Sequence, residues 1–237
     1  MAVLLFLLSG CSASQESRPV TTEEAQILAT TRFHNFNAGV RSLRFDVRSQ
    51  GRQLAFSGWY DWVDHVGYGL LKGRAQDQQS ALALLLWNAT SVGSHPVAST
   101  AASAPLPIPD VESLDTEWTG TLLEPGESGL DTILGMMPLL GQDRPENALL
   151  VQQNGARFEG TEELNGATVS VFSVLADNAE TRESDSADSQ SNTRLYVNEQ
   201  GLLMRLGLRL GDGAEWTFIE FGEAPGVELG DPFAESG

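Results

Sequence analysis

Across 237 residues, 32 acidic side chains outnumber 14 basic ones, and the resulting net charge of −18 is spread along the chain and not gathered in a tail. Such a surface repels a phosphate backbone, which argues against nucleic-acid binding, and it argues equally against flat docking on anionic lipid heads. The chain has one cysteine, Cys11, which excludes an internal disulfide.

The apolar run from Met1 to Leu8 is far shorter than the roughly 20 residues that a membrane-spanning helix needs. It reads as the core of a secretion signal closed by small residues. Leu8-Ser9-Gly10-Cys11 resembles the bacterial lipobox. That resemblance implies a signal peptide over residues 1–10, a lipidated, palmitate-bearing Cys11, and an extracytoplasmic protein anchored to the bacterial cell membrane. Residues 11–20 then carry the lipid and a polar tether. No second hydrophobic segment approaches spanning length, so the body is expected to be tethered to the membrane without crossing it.

Thr21, with Glu24 three residues on, forms a capping box. Ala25, Leu28, Ala29, Arg32, Phe33 and Phe36 follow at the 3.6-residue period, which predicts a helix whose apolar face ends in two aromatics. From Val40 the period becomes two. Leu43, Phe45 and Val47 alternate with charged residues, and Leu54, Phe56, Tyr60 and Trp62 share one face of a second strand in which Gly58 marks a bulge or bend. Gln50-Gly51 between the two predicts a hairpin. "VGYGLLKG" and "SALALLLWN" read as the next strands, the latter nearly all apolar and therefore central. Ser94 to Asp110, with four prolines, reads as an extended crossing loop.

"EWTGTLLE" reads as another strand. Ser128 and Asp131 then cap "SGLDTILGMMPLLG", a short helix with Leu130, Ile133, Leu134, Met137 and Leu140 on one face, which Pro138 kinks or ends. Strands follow at "ALLVQQNGARFEG", "GATVSVFSVL", "TRLYVNEQGLLMRLGLRL" and "EWTFIEFGE". Asn154-Gly155 and Asn165-Gly166 are read as successive meander turns. Residues 176–192 are acidic, lack an apolar period and read as a disordered loop. Residues 226–237 read as a tail.

Constellations for chemistry are sparse. His34, His65 and His95 lie far apart in the sequence without a close His or Cys partner, so no metal site is expected. Asp61 to His65, "DWVDH", invites an acid–base reading. On a strand, however, Asp61 and His65 share the face opposite Trp62 and Asp64, so spacing alone does not bring the group together. No Gly-x-Ser-x-Gly elbow, phosphate-cradling loop or dinucleotide fingerprint occurs. The expectation is a protein without enzymatic activity or cofactor.

The order of elements, with "RFHNFNAGVRSLRFDV", "GWYDWVDHVGYGLL", "LDTILGMMPLLG" and "YVNEQGLLMRLGLRL" behind a lipobox, resembles the LolA/LppX-type (LppX/LprG-like) lipid-binding lipoproteins in their actinobacterial form. The resemblance implies an α+β fold over residues 21–225: an antiparallel β half-barrel, an incompletely closed meander, with helices over its concave face. It also implies an apolar cavity lined by Leu130, Ile133, Leu134 and Met137 on a lid and by Phe56, Trp62, Leu84 and Leu86 on strands. The function that follows is binding, and carriage, of a lipid or other hydrophobic ligand in the cell envelope. Two rivals stay open. One is an envelope protein-interaction or sensory module in which the same residues fill a solid core; the other is an envelope hydrolase built on Asp61 to His65.

Overall fold

The computed structural model describes residues 17–74, 82–98, 101–109, 118–174, 191–211 and 215–229. The expected signal peptide, Cys11, most of the 176–192 loop and most of the C-terminal tail lie outside the described residues. Twelve strands form one sheet: Arg18–Pro19 (β1), Val40–Ser49 (β2), Arg52–Asp61 (β3), Val66–Arg74 (β4), Leu82–Trp87 (β5), Ser91–Val97 (β6), Thr119–Leu122 (β7), Arg157–Leu164 (β8), Ala167–Val174 (β9), Thr193–Asn198 (β10), Leu203–Arg209 (β11) and Trp216–Gly222 (β12). The helices are Thr22–Asn37 (α1), Gly129–Met136 (α2) and Ala148–Gln153 (α3), with a 3-10 turn at Met137–Leu140.

Two antiparallel meanders, β2 to β7 and β8 to β12, are joined side by side where β12 pairs with β2, placing Ile219 opposite Phe45 and Phe221 opposite Leu43. β1 and β7 are the two edges, so the sheet stays open and is not closed into a barrel. None of the helices of the described residues is long and apolar enough to cross a membrane.

Local chemistry explains most element ends. Thr21 and Glu24 form the reciprocal cap of α1, with the Glu24 amide donating to Thr21 Oγ1 at 3.2 Å and the Thr21 amide to Glu24 Oε2 at 2.8 Å. Gln50 and Gly51 both take positive φ, 49° and 75°, as do Asn165 and Gly166, at 52° and 81°. That backbone matches the twist of the strands that each turn joins. Ser128 Oγ accepts from the Asp131 amide at 3.0 Å to start α2, and Pro138 converts its continuation into the 3-10 turn.

The sheet buries one face along its middle strands and part of the other. On one, alternate residues such as Phe45, Phe56, Leu85, Leu206 and Ile219 join a cluster with Ala25 and Leu28 of α1, Ile133 and Leu134 of α2, and Val151 of α3. On the other, Val66, Tyr68, Leu70, Leu84 and Leu86 are covered by Ala104 and Leu229.

Several expectations are corrected. "ALLVQQ" is α3 and not a strand, because Asn147 Oδ1 accepts from the Leu149 amide at 2.9 Å and starts a helical turn. Ala148 and Val151, three apart, pack on the core while Leu149 and Leu150 stay exposed. Asn154-Gly155 therefore follows the end of a helix and is not a hairpin turn. The expected loop from Ser94 begins inside β6, whose Pro96 lies beyond Ser91 to Ser94, the stretch that β7 pairs. Among the described residues β7 makes no pairing with Pro96, and a proline is tolerated at such a position near a sheet edge. Gly58 is no bulge: pairing runs unbroken through it on both sides. On α1 the buried face ends in Thr31 and Asn35, with Phe33 and Phe36 only half-buried. The reason is that Asn35 has two partners in the core: its Nδ2 donates to the Leu140 carbonyl at 2.8 Å and its Oδ1 accepts from the Leu203 amide at 3.3 Å.

Candidate functional site

Of the eight residues expected to line a cavity, the fold brings six together. Phe56, Trp62, Ile133, Leu134 and Met137 are at most 1% exposed and belong to the helix-side cluster, and Leu130 packs against them half-buried. Leu84 and Leu86 do not join them. They face the opposite side of the sheet, and it is Leu85 and Trp87 that look toward the helices. The correction is one of register: when every residue of a strand is apolar, the period of two carries no mark of which parity faces which side.

The floor of this helix-side interior is unusual in having almost no side chains at its centre. Gly58 lies opposite Gly69 across β3 and β4, and Gly67 lies between Tyr60 and Trp87. A Cβ at Gly67 would stand 2.1 Å from the Trp87 ring, and one at Gly69 would stand 2.4 Å from the Phe56 ring. The two rings therefore lie directly over bare backbone. From there an aromatic chain runs across the interior: Phe56 to Trp87 at 5.5 Å, Trp87 to Tyr60 at 5.8 Å, Tyr60 to Trp62 at 5.3 Å and Trp62 to Phe221 at 5.7 Å.

Polar groups inside this layer divide into satisfied and unsatisfied. Trp62 Nε1 donates to the Met137 carbonyl at 2.8 Å. Arg41, 3% exposed, donates to the Leu203 carbonyl and lies 5.7 Å over the Phe221 ring, and burial pushes its guanidinium down to about 10. Among the described residues, Tyr60 Oη and Trp87 Nε1 have no hydrogen-bond partner, and both residues are fully buried. Burial and, secondarily, the nearby charge of Asp61 raise the Tyr60 hydroxyl well above its ordinary range, so it remains a donor. Tyr68 Oη, on the other face, is likewise buried without a partner.

The acid–base group suggested by Asp61 to His65 does not assemble. Asp61 Oδ1 accepts from the Val63 amide at 2.8 Å and the Asp64 amide at 3.4 Å, which makes it the cap of its own turn, while Asp64 and His65 point to solvent. Among the described residues, no group of three His, Cys, Asp or Glu side chains could hold a metal ion.

The opposite face carries an open groove of about 1040 Å³ across β12, β2, β3 and β4, with Arg44, Arg48 and Lys72 around a floor of Ala55 and Ser57 and Trp216 and Phe218 as a wall. Arg194 and Arg209 each stack on Trp216 at 4.6 Å, and Arg205 pairs with Glu220 at 2.6 Å. Sequence reasoning did not single out this groove, nor Trp87, Asn35 and Arg41. The glycine spacing of "VGYGLLKG" was the available signal for the bare floor.

No family model matches the chain, and no curated protein matches it. Among solved structures, it is similar to a DUF1329 family protein from Desulfovibrio piger at 13% identity and a TM-score of 0.33, covering 87% of this chain and 95% of that one. It is also similar to a putative outer membrane lipoprotein-sorting protein domain from Vibrio parahaemolyticus, at 11% identity and a TM-score of 0.31, covering 90% of this chain and 97% of that one. Similarity at this level assigns neither a ligand nor an activity.

Proposed function

We propose that the protein is a non-enzymatic lipoprotein of the bacterial cell envelope, held at the membrane by a lipid on Cys11, that binds and carries an acyl lipid or another hydrophobic ligand. In this reading the helix side is the concave face of a half-barrel. α2 and the 3-10 turn form its lid through Leu130, Ile133, Leu134 and Met137, while Phe56 and Trp62 stand on the wall. The observation that carries the reading is the strip formed by Gly58, Gly67 and Gly69, with the Phe56 ring standing on Gly58 and Gly69 and the Trp87 ring on Gly67. Glycines inside paired strands weaken a sheet unless something needs to approach the backbone closely. Swinging the Phe56 ring aside leaves a smooth apolar slot over Gly58 and Gly69 under the lid, while Trp87 stays on Gly67. Each methylene buried there contributes roughly 0.8 kcal/mol, so about eight of them outweigh any single hydrogen bond at about 1 kcal/mol.

Leu134→Trp tests the reading. Under a lid the added ring fills the slot and abolishes acyl binding while unfolding stays cooperative. In a solid core it overpacks and costs about 1 to 3 kcal/mol with no binding to lose.

A second reading, an envelope interaction module with a solid core, is favoured by one observation: the 1040 Å³ groove lies on the face away from the helices. Wild-type protein that takes up no acyl ligand decides for it.

A further inference from the structure

Tyr60, Gly67 and Trp87 form one cross-strand row on β3, β4 and β5. Because Gly67 has no side chain, the indole of Trp87 lies over it and brings its ring centroid to 5.8 Å from that of Tyr60. Both residues are fully buried, and the phenol Oη and indole Nε1 lack partners among the described residues. The neighbouring indole, Trp62, shows that this layer can satisfy such a group, since its Nε1 reaches the Met137 carbonyl at 2.8 Å. Leaving a buried donor unpaired costs its full desolvation, and here two neighbouring residues each bear that cost.

An indole N–H only donates, and a phenol that stays protonated donates as well. What both lack is an acceptor. Charge decides which kind. Asp61, the residue after Tyr60, contributes negative charge there. Arg41, opposite Tyr60 in register on β2, has its guanidinium engaged with the Leu203 carbonyl of β11 and stacked on Phe221. The charge of Arg41 is already set against Glu223, so an anion beside Tyr60 and Trp87 would face the Asp61 charge with no free counter-charge, which is far more costly than burying a neutral oxygen. We propose that Tyr60 Oη and Trp87 Nε1 are a two-donor site for a neutral carbonyl oxygen, the ester or amide of an acyl ligand whose chain lies over Gly58 and Gly69, beside the indole seated on Gly67. This rests on the hydrophobic-ligand reading above and names the polar group that the ligand must carry.

The test titrates the delipidated full chain, and its Tyr60→Phe variant, with an alkane, a methyl ester and a carboxylate of equal chain length at pH 8. The expected result is an ester bound about tenfold tighter than the alkane and tighter than the carboxylate. In Tyr60→Phe the preference for ester over alkane shrinks severalfold, while ligand-free stability is unchanged or raised because an unpaired donor has gone. Equal binding of ester and alkane by the wild type, or an ester preference untouched by Tyr60→Phe, overturns the two-donor site and leaves the acyl-binding reading standing. A buried water satisfying both donors gives that outcome. Tightest binding of the carboxylate overturns the requirement for neutrality. Failure of all three ligands to bind overturns the acyl-binding reading itself, and the site with it. Trp87→Phe is the second variant: a matching loss of ester preference supports the pair, and an unchanged preference limits the site to Tyr60 and overturns the pair.

Discussion

Trp62 and Met137 are joined by a hydrogen bond of 2.8 Å from the indole Nε1 to the main-chain carbonyl, which fastens the turn after β3 to the 3-10 turn that follows α2. The next contact continues the joint: a Cβ at Gly141 would stand 2.4 Å from the Trp62 ring, so the chain passes the indole at backbone distance. Asn35 clamps the same segment from the other side through the Leu140 carbonyl. Trp62→Phe takes the indole donor from the Met137 carbonyl and is expected to lower stability by at least about 1 kcal/mol. Urea denaturation measures the loss, and hydrogen exchange places it in residues 129–141.

The glycine floor makes a second prediction. Gly67→Ala puts a methyl group 2.1 Å from the Trp87 ring and is expected to cost at least about 1 to 3 kcal/mol by overpacking, with a changed near-ultraviolet tryptophan signal. Gly93→Ala is the control, since its nearest neighbour, the Trp118 ring, stands at 3.3 Å and can give way. Equal stability of the two variants by thermal unfolding would remove the close packing of Trp87 on Gly67.

The pH dependence of α1 has a definite sign. Two bonds from Arg18, at 2.6 and 2.8 Å, and then those from Thr21, hold the Glu24 carboxyl down at about 2 despite partial burial. A depressed carboxylate contributes stability that is fully present above its unfolded-state value, near 4.3, and lost as pH falls through about 2. Arg18 is 40% exposed, so solvent screens the pair and the contribution is small. Glu24→Gln keeps the capping box and removes the charge. The stability gap between wild type and variant is therefore expected to close between pH 5 and pH 2, and to be narrowed by salt at pH 5. A gap that is constant across that range would assign the whole effect of Glu24 to capping.

How far these features could be read beforehand depended on whether a residue type has one local use. Thr21 with Glu24, Gln50 with Gly51, and Asn165 with Gly166 each act through neighbouring backbone, and each was legible. The parity of β5 was not, because "LALLLW" is apolar at every position and both faces of its strand are covered. That is why Leu84 and Leu86 were assigned to the face that Leu85 and Trp87 occupy. Asn35 escaped notice because a polar residue on a helix reads as solvent-facing, and its two partners, Leu140 and Leu203, lie over a hundred residues away. "ALLVQQ" was ambiguous because six residues are too few to separate a period of two from one of 3.6. The groove at Arg44, Arg48 and Lys72 depends on strand pairing, which composition does not encode.

The central claim is that the helix side of the sheet receives an acyl chain. Calorimetric titration of the delipidated full chain with methyl esters of increasing length tests it most directly. The account predicts affinity rising roughly fourfold per added methylene, the equivalent of about 0.8 kcal/mol, until the slot over Gly58 and Gly69 is full, and then levelling off. Affinity independent of chain length, or no binding at any length, would contradict it.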